Sequence, residues 1–185
     1  MAKKALVILA EGFEETEAIT CIDILRRAGI ETTSAGLNSI DVKSSRGIIV
    51  RADKKLEESD TDFDACVLPG GMPGAANLAA SKTVLKIIHA MNNAKKLIAA
   101  ICAAPAVVLA PEGLLNNKSA TCFPGMEKAF GPGIHFKKDS VVIDGSIITS
   151  RALGTALPFA LAITEQLVGR DTREKIEKAV LYHTD

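Results

Sequence analysis

The feature of this sequence that most constrains its fold is a regular alternation of short apolar runs with segments of helical periodicity. The first apolar run covers residues 5–9, a helix-like segment over 15–28 stops at Gly29, and a second run follows at 31–35. Buried parallel strands are typically continuous apolar runs, and helices connect one such strand to the next. The opening therefore predicts a strand–helix–strand unit.

The alternation continues to the end of the chain. Strands are expected at 48–50, 65–68 and 97–101, near Ala120, and at 141–143 and 147–149, and helices are expected at 82–91, after Cys102, at 155–168 and at 171–181. This order predicts an α/β fold with a doubly wound, mostly parallel sheet flanked by helices. A chain of 185 residues can bury the core of such a fold as a single domain, residues 1–185, without disulfides or metals.

Charge and hydropathy exclude several classes of partner. The 22 Lys and Arg residues balance the 22 Asp and Glu residues, and no basic run indicates a nucleic-acid or lipid surface. The apolar stretch at 97–111 is shorter than the roughly 20 residues of a membrane helix, and the N-terminal apolar run lacks a cleavage-site pattern. We expect a cytoplasmic protein with small-molecule partners and no specific contact with nucleic acid or membranes.

The four cysteines show no metal-binding or disulfide pattern. Cys21, Cys66, Cys102 and Cys122 are scattered, without a Cys-x-x-Cys or Cys/His spacing. We therefore expect reduced thiols and no metal site.

Cys102 lies where an apolar strand runs directly into an alanine-rich segment, with the small residues Ala100 and Ala104 two places to either side. This is the pattern of a nucleophile elbow, a sharp turn that holds a reactive side chain at the edge of a sheet. A thiol at the start of a helix faces unpaired N–H groups, which favour the thiolate. The alternative is an inert core cysteine, since free cysteines are often buried. The residue alone does not decide between the two.

Three unusual features follow three predicted strands: the acidic segment 11–17, the pair Gly70-Gly71, and Cys102. The carboxyl ends of parallel strands meet at one edge of a sheet, so we expect these features to converge. A buried Glu17 there would have a raised pKa and could exchange a proton with the cysteine. We interpret Glu14 and Glu15 as ordinary acidic residues of a first helical turn.

The backbone N–H groups of Gly71 and Ala103 could form an oxyanion hole beside Cys102. The alternative for the glycine pair is a flexible loop after a strand. None of the three histidines, His89, His135 and His183, is adjacent to Cys102 in the sequence, and we place His89 on a helix surface and His183 in a terminal tail.

The chain resembles the DJ-1/ThiJ/PfpI superfamily, and within it the DJ-1/YajL branch. The matching stretches span nearly the whole chain and include Glu14-Glu-Thr-Glu17, Val67-Leu-Pro-Gly-Gly71, Leu97-Ile-Ala-Ala-Ile-Cys-Ala-Ala-Pro105 and Ile148-Thr-Ser-Arg151. The first and third of these blocks together are specific to the family. The resemblance implies the flavodoxin-like, class I glutamine amidotransferase-like form of the α/β fold.

The resemblance also implies roles for individual residues. Cys102 matches the family's catalytic, oxidation-sensitive cysteine, and Glu17 matches its protonated partner. Gly71 and Ala103 match its backbone amide pocket. Arg46 matches an arginine that reaches the site from a dimer interface, and Asp23 and Arg27 match two interface residues. A homodimer is therefore expected.

Two departures from the family pattern concern the site. Phe123 stands where some members have a histidine, and Ala152-Leu153 replaces the Gly-Pro of a usual Gly-Pro-Gly. The first change removes a possible base. The second replaces a proline that lines the site in the family, and so affects the shape of the pocket and the range of substrates. Because Ala103 follows Cys102, the Cys-His-Gly mark of the protease-like branch is absent, and no peptidase activity is expected.

The resemblance implies a cysteine-dependent enzyme that needs no cofactor and acts on methylglyoxal and related 2-oxoaldehydes, as a glyoxalase or, as proposed for the family, a deglycase of glycated adducts. The alternative is a redox-sensing stress protein or chaperone whose cysteine is oxidised to the sulfinate. Oxidation of Cys102 is compatible with both, whereas turnover distinguishes them. A thiamine-biosynthetic role has no support in the residues.

Overall fold

The computed structural model describes residues 2–58 and 62–182, and at its centre lies a seven-stranded sheet. The strands of the described residues, in chain order, are β1 (Lys4–Leu9), β2 (Glu31–Gly36), β3 (Asp41–Lys43), β4 (Ile49–Arg51), β5 (Lys54–Lys55), β6 (Ala65–Leu68), β7 (Leu97–Ile101), β8 (Ser119–Ala120), β9 (His135–Phe136), β10 (Val141–Asp144) and β11 (Ile147–Ser150). The central sheet has the order β10-β11-β7-β6-β1-β2-β5. Every neighbouring pair in it is parallel except β10 and β11. The prediction of a doubly wound, mostly parallel sheet is confirmed.

Helices cover both faces of this sheet. They are α1 (Glu15–Arg27), α2 (Gly74–Ala80), α3 (Lys82–Asn93), α4 (Ala156–Val168) and α5 (Arg170–Ala179). Alternate residues of the strands point to opposite faces: Val7 and Leu9 pack against α1 and α4, whereas Leu6 and Ile8 pack against α3. Strands β6 and β7 are apolar at every position because both of their faces are buried.

The order of the strands determines where a site can form. From β1 the chain moves outward to β2 on one side, and then returns to place β6 and β7 on the other side. A crevice opens beyond the carboxyl ends of the strands where the winding reverses, here between β1 and β6. The loop after β1, the glycine pair after β6 and Cys102 after β7 all lie at this edge.

Some elements differ from the sequence-based expectation. Helix α2 and the short strands β3, β5 and β9 were not expected, and the segment after Cys102 is a single π-helical turn, Pro105–Leu109. The proline at its start removes one N–H donor, and the segment is fully packed against the core. None of the helices in the described part of the chain is long and apolar enough to cross a membrane.

Candidate active site

Cys102 occupies a strained turn at the end of β7. Its φ angle is +64°, a left-handed conformation that is uncommon for residues other than glycine. Its backbone is fixed on both sides, because its N–H donates to Ser150 O (3.0 Å) and its carbonyl accepts from Phe123 N (2.8 Å). The neighbours Ala100 and Ala104 are completely buried, which leaves no room for larger side chains. The sharp elbow expected from the sequence is present.

Two backbone amides point at the sulfur of Cys102. The N–H groups of Gly71 and Ala103 both donate hydrogen bonds to it. Donors in this position stabilise negative charge, either on the sulfur or on an oxygen that forms beside it. The structure thus brings together the two amides that the sequence predicted as an oxyanion hole.

Glu17 lies on the first turn of α1 and is 1% exposed. Its Oε2 accepts a hydrogen bond of 2.8 Å from the Gly70 N–H, whereas its Oε1 has no hydrogen-bond partner among the described residues. Burial, with a smaller contribution from the Glu14 carboxylate, raises the pKa of Glu17 to about 7. Glu17 can therefore hold or release a proton near neutral pH.

The sequence predicted a low pKa for the Cys102 thiol. This prediction is wrong when the neighbouring Glu17 carboxyl is ionised. Burial, followed by the charge of Glu17, raises the pKa of the Cys102 thiol to about 12, although the N–H groups of Gly71 and Ala103 act to lower it. Two negative charges in one buried site repel each other, and the favourable amides do not offset this. The pair of Glu17 and Cys102 therefore retains one proton well above neutral pH.

Gly70 and Gly71 allow the backbone to pass close to these side chains. A Cβ on Gly70 would lie 2.5 Å from the Cβ of Cys102 and 2.9 Å from Glu17 Oε2. Gly71 has a φ of +84°, and a Cβ there would collide with the backbone N of Glu14. The glycine pair is thus a tightly packed part of the site, and the alternative of a flexible loop is wrong.

A cavity of about 300 Å³ opens onto the sulfur. Its polar wall consists of Glu14, Ser45 and Arg46. The Ser45 hydroxyl lies 3.2 Å from a Glu14 carboxylate oxygen and 3.3 Å from one of Glu15, which ties this loop to the start of α1. Arg46 thereby lines the cavity of its own chain.

The rest of the cavity lining includes an apolar part. It is formed by Met72, Phe123, Ala152 and Leu153. Phe123 and Ala152-Leu153 are the two departures from the family pattern noted in the sequence, and both border the cavity. The departures therefore change the surface that a bound molecule would contact.

Asp23 and Arg27 do not reach the cavity. They form a 2.6 Å ion pair one turn apart on α1, and both side chains are about half exposed (51% each). Such surface pairs contribute little to stability.

The other three cysteines and the described histidines, His89 and His135, are not part of the cavity lining. Cys21, Cys66 and Cys122 are buried, whereas Cys102 is partly exposed. His89 is at the surface of α3, 2.7 Å from Glu112, as expected. His183 lies outside the described residues. Within residues 2–58 and 62–182, no three His, Cys, Asp or Glu side chains are grouped so that they could hold a metal ion.

Sequence reasoning missed three lining residues: Glu14, Ser45 and Met72. Glu14 was interpreted as an ordinary helix-start acid, and it does cap α1 through the Thr16 N–H (3.3 Å). Its position three residues before Glu17, on the same helix face, was the available signal. Ser45 and Met72 come from loops whose path the sequence pattern does not reveal.

Comparison with known proteins places this fold in a known group. A model described as the DJ-1/PfpI family matches residues 3–166. The chain is 44% identical over 184 residues to Protein dj-1beta of Drosophila melanogaster, covering 98% of each sequence. The crystal structure of that protein has a TM-score of 0.93 to this one, with 98% of each chain covered.

Two further relatives carry informative names. The glutathione-independent glyoxalase DJR-1.2 of Caenorhabditis elegans is 34% identical over 178 residues, which cover 95% of each sequence. An oxidized form of Toxoplasma gondii DJ-1 has a TM-score of 0.93 and 37% identity, covering 98% of this chain and 100% of that one. The similarity extends over essentially the whole chain in each case.

Proposed function

The chain belongs to the DJ-1/PfpI family, and from this premise we propose that it is a cysteine-dependent enzyme that converts methylglyoxal and related 2-oxoaldehydes into 2-hydroxy acids without a cofactor. The observation that carries the proposal is the hydrogen-bonded pair of Glu17 and Cys102 at the bottom of an open cavity. A relative named as a glutathione-independent glyoxalase supports the same chemistry.

The reactive form has the charge on sulfur and the proton on Glu17. Two amides, those of Gly71 and Ala103, donate to the sulfur, whereas the one amide donor to the Glu17 carboxyl is Gly70 N–H. Hydrogen bonds to the charged form of a group favour that form. The negative charge is therefore more stable on the sulfur of Cys102 than on the carboxyl of Glu17. The protonated carboxyl can then donate its proton to the thiolate.

The first step is addition of the Cys102 thiolate to the aldehyde carbon. A C–S bond forms, the C=O π bond breaks, and the oxygen takes the proton of Glu17 to give a hemithioacetal. The amides of Gly71 and Ala103 stabilise the oxyanion before it is protonated. Glu17 is left as a carboxylate.

Glu17 then acts as a base. It removes the proton from the former aldehyde carbon, which leaves an enediolate with its charge on the ketone oxygen. Glu17 then returns this proton to the neighbouring carbon while the hydroxyl proton of the first carbon passes to the second oxygen, so that one carbon is oxidised and the other reduced. The product is a thioester of the 2-hydroxy acid. Water hydrolyses the thioester and regenerates the cysteine, and a pKa of about 7 suits both directions of proton transfer.

Steady-state production of lactate from methylglyoxal tests this function. Wild type should form lactate continuously, Cys102→Ser should form none above background, and Glu17→Gln should keep the fold yet lose at least about 100-fold in kcat, the usual size of an acid–base contribution. Consumption of methylglyoxal without release of lactate by the wild type would contradict the proposal.

A redox-sensing role is the second candidate, and one observation favours it. Cys102 is the one partly exposed cysteine of the four, so oxidants reach it first. With hydrogen peroxide as oxidant, Cys102 would pass through the sulfenate to the sulfinate, and protonated Glu17 would donate to a sulfinate oxygen. Peroxide-dependent sulfinate formation in a protein that forms no lactate would favour this role.

The proposal also covers how the protein assembles, where it acts and how it affects glycated adducts. A homodimer is supported by exposed apolar side chains on α1 and on the β3–β4 hairpin, namely Ile19, Ile48 and Ile49. The hairpin is tied to α1 by the Ser45–Glu15 contact, so these side chains belong to one region of the surface. We propose that the dimer acts in the cytoplasm on free aldehydes, and that early glycated adducts decrease as the aldehyde is consumed.

A further inference from the structure

Three large apolar side chains stand exposed around the opening of the Cys102 cavity. Met72 is 55% exposed, Phe123 is 43% exposed and Leu153 is 56% exposed, and all three line the cavity. We call these three residues the apolar rim. They come from three separate parts of the chain: Met72 and Phe123 lie in loops, and Leu153 begins a short 3-10 helix.

The cavity also has a polar part to its lining. Glu14, Ser45 and Arg46 line it together with the apolar rim and Cys102. A molecule bound to the sulfur can therefore place polar oxygens against these polar side chains and an apolar group against the rim. Pockets of this kind use a few polar groups to orient a ligand and apolar side chains to hold it.

Methylglyoxal uses little of this surface. Its single methyl group covers only a small part of a cavity of about 300 Å³, whose size is at the lower end of the range for pockets that enclose drug-sized ligands. The thioether of Met72 adapts to irregular shapes and makes favourable contacts with aromatic rings, and the ring of Phe123 offers an aromatic face or edge. The apolar rim thus suits a flat, apolar substituent better than a methyl group.

We propose that the apolar rim binds the substituent on the ketone side of the 2-oxoaldehyde, and that the enzyme prefers aryl-substituted 2-oxoaldehydes to methylglyoxal. The proposal rests on the function given above and names its substrate class. Phenylglyoxal is the simplest member of that class. Its aldehyde carbon reacts with Cys102 as in methylglyoxal, and its ring lies against Met72, Phe123 and Leu153.

The test compares two substrates in rim variants and in a matched control. Leu153→Ser and Met72→Ser each remove an exposed apolar side chain from the rim, and Ile143→Ser removes one of similar exposure (46%) from the edge strand β10, away from the cavity lining. The quantity measured is the ratio of kcat/KM for phenylglyoxal to kcat/KM for methylglyoxal. Comparing ratios between variants removes the intrinsic difference in reactivity between the two aldehydes.

We expect the wild-type ratio to fall about tenfold in each rim variant, the size typical of losing part of an apolar contact in a specificity pocket. The ratio should stay unchanged in the control. An unchanged ratio in both rim variants would overturn the proposal. Equal losses with both substrates, together with conversion to monomer in light scattering, would identify the rim as a subunit contact and would also overturn it.

A second measurement does not depend on turnover. Iodoacetamide and N-phenyl iodoacetamide both alkylate Cys102 as the thiolate displaces iodide, and their relative rates report how well the rim accepts a phenyl group. We expect the phenyl reagent to lose its relative advantage in Leu153→Ser and Met72→Ser but not in Ile143→Ser. If the protein forms no 2-hydroxy acid, this result still supports the rim, whereas equal relative rates in all proteins refute it.

Discussion

The hydrogen bond between Glu17 and Cys102 acts in opposite directions on their two protons: it lowers the pKa of the carboxyl and raises the pKa of the thiol. Burial outweighs this effect at Glu17, whose pKa is still raised to about 7. The proposed activity depends on which of the two groups keeps the shared proton.

The raised pKa of Glu17 predicts that the protein loses stability as the pH rises toward neutral. A carboxyl with a pKa of 4.5 in the unfolded chain and about 7 in the folded one stabilises the folded state fully below pH 4.5, and this contribution is lost as the pH rises through 7. The difference of about two and a half pKa units corresponds to about 3 kcal/mol. Urea unfolding of wild type and Glu17→Gln between pH 4.5 and 7.5 measures it.

Glu17→Gln is the matched control, because it keeps the shape of the side chain and cannot ionise. The difference in unfolding free energy between the two proteins should change by about 3 kcal/mol over that interval, with the wild type losing stability. Parallel pH curves for the two proteins would contradict a raised pKa at Glu17.

The sequence predicted the core of the fold because burial on both faces produces long apolar runs. Strands 65–68 and 97–101 were located to the residue, and the convergence of Glu17, Gly71 and Cys102 followed from the topology alone. Helix α2 was missed because its small residues, Gly74–Ala80, show no amphipathic pattern. The raised pKa of the Cys102 thiol beside an ionised Glu17 was not predicted, because the sequence places a carboxyl near the cysteine but does not show how deeply both groups are buried.

Gly70→Ala should separate the pair. The added methyl would lie 2.5 Å from the Cβ of Cys102 and 2.9 Å from Glu17 Oε2, so one of the two side chains must move. We expect a loss of about 1–3 kcal/mol in unfolding free energy, the usual effect of overpacking, and a fall in lactate production of at least about tenfold. Gly131→Ala is the control, since its Cβ would meet open space. Wild-type stability and activity in Gly70→Ala would show that the packing is looser than described.

Cys102 should be the first cysteine to react with an alkylating reagent. Cys21, Cys66 and Cys122 are fully buried, so an alkylating reagent does not reach their sulfur atoms in the folded protein. Cys102 is partly exposed and receives two amide hydrogen bonds. Peptide mapping by mass spectrometry after brief treatment with iodoacetamide at pH 6 and pH 8 measures the order. Faster labelling of another cysteine at pH 6 would contradict the elbow as the reactive position.

Asp23→Arg should weaken the proposed dimer and lower activity with it. Asp23 lies one turn from the exposed Ile19 on α1, and in a two-fold interface one substitution changes both subunits. Glu174→Arg is a suitable control, because it breaks a similar surface pair, Arg170–Glu174, on α5. Light scattering at micromolar concentration, combined with the lactate assay, gives both readouts. A wild-type monomer, or a fully active monomeric variant, would show that no second subunit is needed.

The location of the negative charge is tested most directly by the ultraviolet absorbance of the Cys102 thiolate as a function of pH. Wild type and Glu17→Gln are each compared with the corresponding protein carrying Cys102→Ser, so that the difference isolates this sulfur. We predict that the wild-type thiolate forms near pH 7, where the pair of Glu17 and Cys102 loses its first proton, and that its midpoint lies at higher pH in Glu17→Gln, because the amide donates a weaker hydrogen bond than the carboxylic acid. A wild-type thiolate that forms only at strongly alkaline pH, and at lower pH once Glu17 is replaced, would show that Glu17 keeps the charge and would contradict the mechanism.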